Sequence, residues 1–143
     1  MKDLHSNITP VQLIAPVAAR TDNTAIVSAI IDRQGYEGLA FILNIGTNTD
    51  ANAEFTVLVE HGDEANLSDA VAVADTGLNG TEALASFTAA ADDDSVRKIG
   101  YVGGKRYTRV TITPSGNDSG NIFVSGVAVL GYAEQADTAN PPA

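Results

Sequence analysis

Apolar and polar residues alternate with a period of two along most of this chain. The alternation is cleanest from Glu54 to His61, with Phe55, Val57 and Val59 on one side and Glu54, Thr56 and Glu60 on the other. That is the pattern of a strand with one face in a core and one in water. Leu39 to Ile45 repeats it, with Leu39, Phe41, Leu43 and Ile45 in phase. Between the two lies G-T-N-T-D-A-N, residues 46–52, dense in turn formers. The two runs are predicted to pair as a hairpin. Val96 to Thr113 predicts a second one. Val96, Ile99, Tyr101 and Val102 fill its first strand, Gly103-Gly104 supply the tight turn, and Lys105 to Thr113 return. In the return strand Val110 and Ile112 oppose Arg109, Thr111 and Thr113. Ile122 to Tyr132 is apolar on both faces, which predicts a central strand covered on both sides.

The rest of the chain is punctuated rather than helical. Thr24 to Arg33 reads as a strand turned by Gln34-Gly35. Leu67, Val71 and Val73 read as short edge strands among turns at Asp75-Thr76-Gly77 and Asn79-Gly80. Leu84 to Ala91 fits a helical turn or a strand, and Asp92-Asp93-Asp94 an exposed loop. Pro10 and Pro16 break up residues 1–20, which read as an extended arm or an edge strand on the domain itself. About eight short strands separated by Gly, Asn, Asp and Pro turns predict an all-β, antiparallel β-sandwich. A jelly roll is the first choice and an immunoglobulin-like sandwich the second. The division is an arm at 1–20, a sandwich at 21–133 and a polar tail at 134–143.

Charge changes the picture of partners. The 143 residues carry a formal charge of −10, the wrong sign for a nucleic-acid footprint or an anionic membrane surface. From Glu37 to Asp94 there are twelve acids and no base, whereas Val96 to Thr113 holds five of the eight basic residues and no acid. Such a division keeps a protein soluble, or lets a basic stretch meet an acidic surface on a neighbour and fix the docking register. There is no cysteine, and no stretch has the pattern of a signal peptide or a membrane span. This points to synthesis in the cytosol.

Catalytic chemistry is thinly supplied. The two histidines, His5 and His61, stand in contexts that suggest surface residues, and nothing resembles a hydrolytic triad. Gly103-Gly104-Lys105 lacks the spacing of a phosphate loop. Asp92-Asp93-Asp94, or Asp63-Glu64 with His61, offers hard oxygen ligands without the EF-hand pattern, and reads as solvated acids. No cofactor, metal or catalytic residue is expected. A sugar-binding jelly roll would draw its aromatic platform from Tyr36, Tyr101 or Tyr107.

Three stretches carry a resemblance: M-K-D-L-H-S-N-I, I-I-D-R-Q-G-Y-E-G-L, and K-I-G-Y-V-G-G-K-R-Y-T-R-V-T-I-T with the later V-A-V-L-G-Y. Together they resemble a family of small virion proteins of tailed bacteriophages and prophages, encoded beside the major capsid protein. The resemblance spans most of the chain and is thinnest between Asp63 and Ala91. It implies a capsid cement or decoration protein on the outside of the shell, made in the host cytoplasm. Its partners would be the major capsid protein and further copies of itself, a trimer being one closed arrangement, with no nucleic acid and no membrane. The alternatives are a virion-displayed jelly roll that binds carbohydrate or a host surface, and a head–tail or tail structural protein. On this reading the interface candidates are Val11, Leu13, Ile14 and Val17 in the arm, with Arg97, Lys98, Lys105, Arg106 and Arg109 in the basic stretch.

Overall fold

Two alternating strands, Tyr36–Asn48 (β4) and Glu54–Gly62 (β5), set the architecture. Each turns one apolar row inward: Leu39, Phe41, Leu43 and Ile45 from β4, Phe55, Val57 and Val59 from β5, all buried. The two rows do not lie side by side. In the computed structural model, which describes residues 2–88 and 90–135, β4 belongs to one sheet and β5 to another, and they face each other across the core. Six strands are seven residues or longer. Besides β4 and β5 these are Ile8–Ile14 (β1), Ser95–Tyr101 (β9), Tyr107–Ser115 (β10) and Ile122–Ala133 (β11). Five strands of two residues complete the set: Ile26–Val27 (β2), Ile31–Asp32 (β3), Val71–Ala72 (β6), Leu78–Asn79 (β7) and Phe87–Thr88 (β8). One α-helical turn, Glu82–Ala85 (α1), and three 3-10 turns interrupt them among the described residues, with the Thr81 hydroxyl accepting from Leu84 N–H at the start of α1.

The first sheet runs β1-β11-β4-β9-β7 and the second β2-β10-β5-β6, with β3 also on β10 and β8 on β5. All pairings are antiparallel. This is the two-sheet jelly roll that the spacing of strands and turns predicts. The predicted strand at 24–33 is split into β2 and β3, because the buried Ser28 side chain takes over a rung of the ladder. Its hydroxyl accepts from Val110 N–H at 2.9 Å and donates to the Ala29 carbonyl.

Three expectations are corrected. The hairpins predicted for 39–61 and 96–113 do not exist, since β4 and β9 lie in one sheet and β5 and β10 in the other. Both connections are arches over the end of the sandwich. Neither Gly103 nor Gly104 has a positive φ. Gly103 serves a close approach instead: a Cβ there would fall 2.6 Å from the Tyr101 hydroxyl oxygen. Arg33 holds this arch from below, donating to the carbonyls of Gly103 and Lys105. The other arch is fixed by Asp50, whose carboxylate, 1 % exposed, accepts from Ser119 and Asp118 N–H at 2.9 and 3.0 Å. The third correction concerns β11. It is central, but only one of its faces is covered. Ile122, Val124, Ala128 and Leu130 are buried, whereas Phe123, Val127 and Tyr132 are exposed.

Residues 8–14 are the edge strand of the first sheet, laid on β11 from Ile8↔Gly131 to Ile14↔Gly126, so they belong to the domain. Glu134 N–H donates to the Gly35 carbonyl at 2.9 Å. The remainder of the predicted tail, 136–143, lies outside the described residues.

Candidate interaction face

The pairing registers place side chains on the outer face of the first sheet in rows across four strands. One row is Pro10, Val129, Ala40 and Gly100; the next is Gln12, Val127, Ile42 and Lys98; a third holds Ser125, Asn44 and Val96. Ile8, Gly131 and Gly38 form the row at one end. Gly131, Gly38, Ala40 and Gly100 make the face low toward that end, while Val96, Phe123 and Val127 stand out toward the other and are exposed. Among the described residues of these rows Lys98 is the one cation, and Glu37 lies at the rim beside Gly38. The four strands contain 7, 12, 13 and 7 residues. At about 3.3 Å per residue and about 4.8 Å between strands, they present a flat area of roughly 600 Å². Within that area the exposed apolar residues Val96, Phe123 and Val127 stand among the polar Gln12, Asn44, Ser125 and Lys98.

One end of the face has relief. Tyr132 has φ +52° and is 81 % exposed, a left-handed backbone that favours glycine over an aromatic residue. Its ring leans over Gly38, where a Cβ would fall 2.7 Å from its Cδ2. On one side of the ring is a groove of about 430 Å³ lined by Leu4, Asn7, Ile8 and Gly131. On the other side is a groove of about 460 Å³ over Gly38, Ala40, Gly100 and Val129.

The outer face of the second sheet is built differently. Arg109 donates to Glu60 through Nε and Nη2 at 3.0 and 2.9 Å, and Arg106 to Asp32 at 2.8 Å. Thr111, Thr113 and Thr56 follow along the strands beyond Arg109, with the exposed Val27 beside Thr111. The pair with Arg106 holds the Asp32 carboxyl below its ordinary range and raises the Arg106 guanidinium.

The nine interface candidates are therefore scattered. Leu13 and Ile14 are 2 % and 4 % exposed and belong to the core, and Val11 packs against it half-buried. Val17 is exposed and lines a shallow groove with Phe123 and Gly46 at the far end of the first sheet. Arg97 pairs with Asp92, Lys105 with Asp63, Arg106 with Asp32 and Arg109 with Glu60. The basic stretch is thus neutralised within its own chain rather than left free for an acidic neighbour. Among the described residues Lys98 alone of the five makes no ion pair. Asp92 and Asp93 are not idle loop acids, since Asp93 also accepts from Asn48 N–H at 2.9 Å.

The tyrosines expected to form a sugar platform are otherwise engaged. Tyr101 is in the core, its hydroxyl accepting from Lys105 N–H and meeting His61 Nδ1 at 2.8 Å. Tyr36 donates to Thr9 Oγ1, and Tyr107 lies beneath the Arg106 guanidinium. His61 is half-buried rather than a free surface residue, and burial lowers its pKa, with Lys105 adding to the effect. Among the described residues no group of three or more His, Cys, Asp or Glu could hold a metal ion, and no helix is long and apolar enough to cross a membrane.

What sequence reasoning missed is the first sheet's outer face. Its signal was present in β11, where both alternating sets are apolar, and in the glycines and alanine at every outward position from Gly38 to Ala40 and at Gly100 and Gly131.

No protein-family model and no curated protein matches the chain. Among solved structures it is similar to the CBM22-1–GH10 modules of Clostridium thermocellum endo-1,4-β-D-xylanase 10B complexed with xylohexaose. The match covers 96 % of this chain and 29 % of that one at 9 % identity and a TM-score of 0.42, so the chain spans less than a third of the xylanase chain. It is also similar to Eiger TNF from S. frugiperda, over 94 % of this chain and 90 % of that one, at 9 % identity and a TM-score of 0.33.

Proposed function

We propose that this chain is a structural protein of a tailed-phage-type virion, a decoration or cement protein that sits on the outside of the capsid shell and ties neighbouring subunits together. The observation that carries the reading is the outer face of the first sheet, where Val96, Phe123, Val127 and Tyr132 are exposed and the outward rows of β1, β11, β4 and β9 hold no carboxylate. A chain of net charge −10 that keeps one broad face almost free of carboxylates is shaped to be covered by protein. The family resemblance of its sequence supplies the shell as the setting. The acidic remainder of the surface suits the outside of a shell better than an inside that faces nucleic acid. A cement protein acts by linkage: bound to assembled subunits and not to separated ones, it raises the free energy of taking the shell apart.

Mixing the purified protein with undecorated shells tests the reading. Saturable uptake and a higher disruption temperature are expected. Shells that take up none of it and come apart at an unchanged temperature refute the proposal. A copy number per particle of a few, instead of one per capsomer or per capsomer junction, would replace decoration with a head–tail role.

A further inference from the structure

The apolar face needs an occupant, and its shape points to a second copy of this chain. We propose that two copies pair through the outer faces of their first sheets about a twofold axis running along the strands between β4 and β11, each placing Tyr132 in the groove at Leu4, Ile8 and Gly131 of the other. The inference rests on the reading of this face as a protein-covered surface and names what covers it.

Three observations carry it. The first is charge. Two chains of −10 repel wherever their acids face each other, and the described outward rows of β1, β11, β4 and β9 hold no carboxylate, Glu37 standing at the rim and Asp3 and Glu134 beside residues that line the Tyr132 groove. The chosen axis sets Lys98, on β9, over Gln12 of the other copy's β1 rather than over its own equivalent. It brings Ile42 and Val127 to the centre, where they pack across it. The second is area. The roughly 600 Å² of flat face, enlarged by side-chain relief, approaches the about 800 Å² per partner of a standard stable interface. Two sheets stacked face to face about 10 Å apart are also an ordinary packing.

The third is relief. Tyr132 and the groove at Leu4, Ile8 and Gly131 are a knob and a hole side by side on one surface. A twofold operation exchanges them, as a self-complementary interface requires. The ring is held in the knob position by a φ of +52°, a left-handed state that Leu67 and Asp94 also adopt. Such strain on an exposed aromatic residue is characteristic of functional sites, and tyrosine is a favoured interface anchor. Pairing along the sheet edge is the less suitable route, because Pro10 lies in the edge strand β1 and offers no N–H to an incoming strand.

The test is the mass of the free, full-length protein by sedimentation equilibrium at micromolar concentration, with Val127→Glu and Tyr132→Gly beside it. A two-copy mass is expected, with Val127→Glu reduced to single copies. Tyr132→Gly should weaken pairing at least about tenfold while its subunit unfolds no more easily, glycine being at ease at that φ. A wild-type mass of one copy, or of three or more, overturns the inference, as does a dimer indifferent to both variants. Shell uptake separates this failure from that of the proposed function. Single copies that load onto shells, and lose loading with Val127→Glu, make the shell the occupant of the face and leave decoration standing. Dimers that shells ignore support the pairing and remove the decoration reading.

Discussion

The two outer faces of this sandwich present opposite solutions to the same problem. Both are pleated, twisted surfaces standing over one shared core. The second sheet pairs its charges: Arg109 and Arg106 lie on Glu60 and Asp32, with Thr111, Thr113, Thr56 and the exposed Val27 further along. Its charges are satisfied locally and ask nothing of a partner. The first sheet leaves one end low, with Gly38, Gly131, Ala40 and Gly100, beside a centre of Ile42 and Val127. One face closes on itself; the proposed function rests on the other. Where the described residues hold no metal-binding cluster, function can be sought in the face that stability does not explain.

The contrast can be tested most severely across the first sheet itself. Phe41 and Ile42 are neighbours on β4, but Phe41 is fully buried in the core and Ile42 points outward. Phe41→Ala should cost about 3–5 kcal/mol in urea unfolding. Val127→Ala, on the outer face, should change monomer stability by no more than about 0.5 kcal/mol. A large loss at Val127 in a single-copy preparation would mean that the face serves the fold. A smaller effect separates the sheets. Arg109→Ala leaves a half-buried Glu60 with only the Thr111 hydroxyl nearby and should cost about 1 kcal/mol. Lys98→Ala, on the other sheet, should be neutral within about 0.5 kcal/mol. Equal effects from the two would erase the distinction.

The smallest expected effect is an acid-dependent one. His61 on β5, Asp32 on β3 and Asp50 in the arch all have lowered pKa values, by burial, by Arg106 and by the Ser119 N–H respectively. In each case the unfolded chain binds the proton more readily, so stability is complete at high pH and falls as pH falls. The histidine contribution should begin to be lost below about pH 6.5 and the carboxylate contributions below about pH 4. These groups belong to the second sheet and the arches, whereas the first sheet's face carries only Lys98 and Glu37. Melting temperatures measured from neutral to acid pH should therefore decline in two stages. His61→Gln should remove the first stage only; a single decline unaffected by that change would disprove the assignment.

Strand identity was legible because burial on one side enforces a period of two. Phe55, Val57 and Val59 announce an inward row without any knowledge of what they face. Strand pairing was not legible in the same way. A run of turn residues such as 46–52, or Gly103-Gly104, says that the chain reverses. It does not say whether the returning strand joins its predecessor by hydrogen bonds or crosses to the opposite layer. That choice is made by partners far along the chain: β11 takes one side of β4, and β10 takes one side of β5. The ion pairs were hidden for the same reason, since Arg106 meets Asp32 and Arg109 meets Glu60 across long stretches of sequence. A cluster of positive charge in sequence became four separate pairs in space. The candidate face was half visible. Alternation in β11 gave two apolar rows, and only the arrangement of neighbouring layers reveals that one row has nothing above it.

The register between β1 and β11 has a consequence for how the protein is made. Within this domain β1, the first long strand in chain order, has β11, the last described, as its neighbour in the sheet, and β11 also forms one flank of β4. Until synthesis reaches Ala133, Leu13 and Ile14 have no β11 to lie beside, and half of the sandwich has no middle. The nascent chain must hold these apolar residues in waiting, so closure of the domain is a single late event after translation of the final strand rather than a stepwise growth behind the exit tunnel.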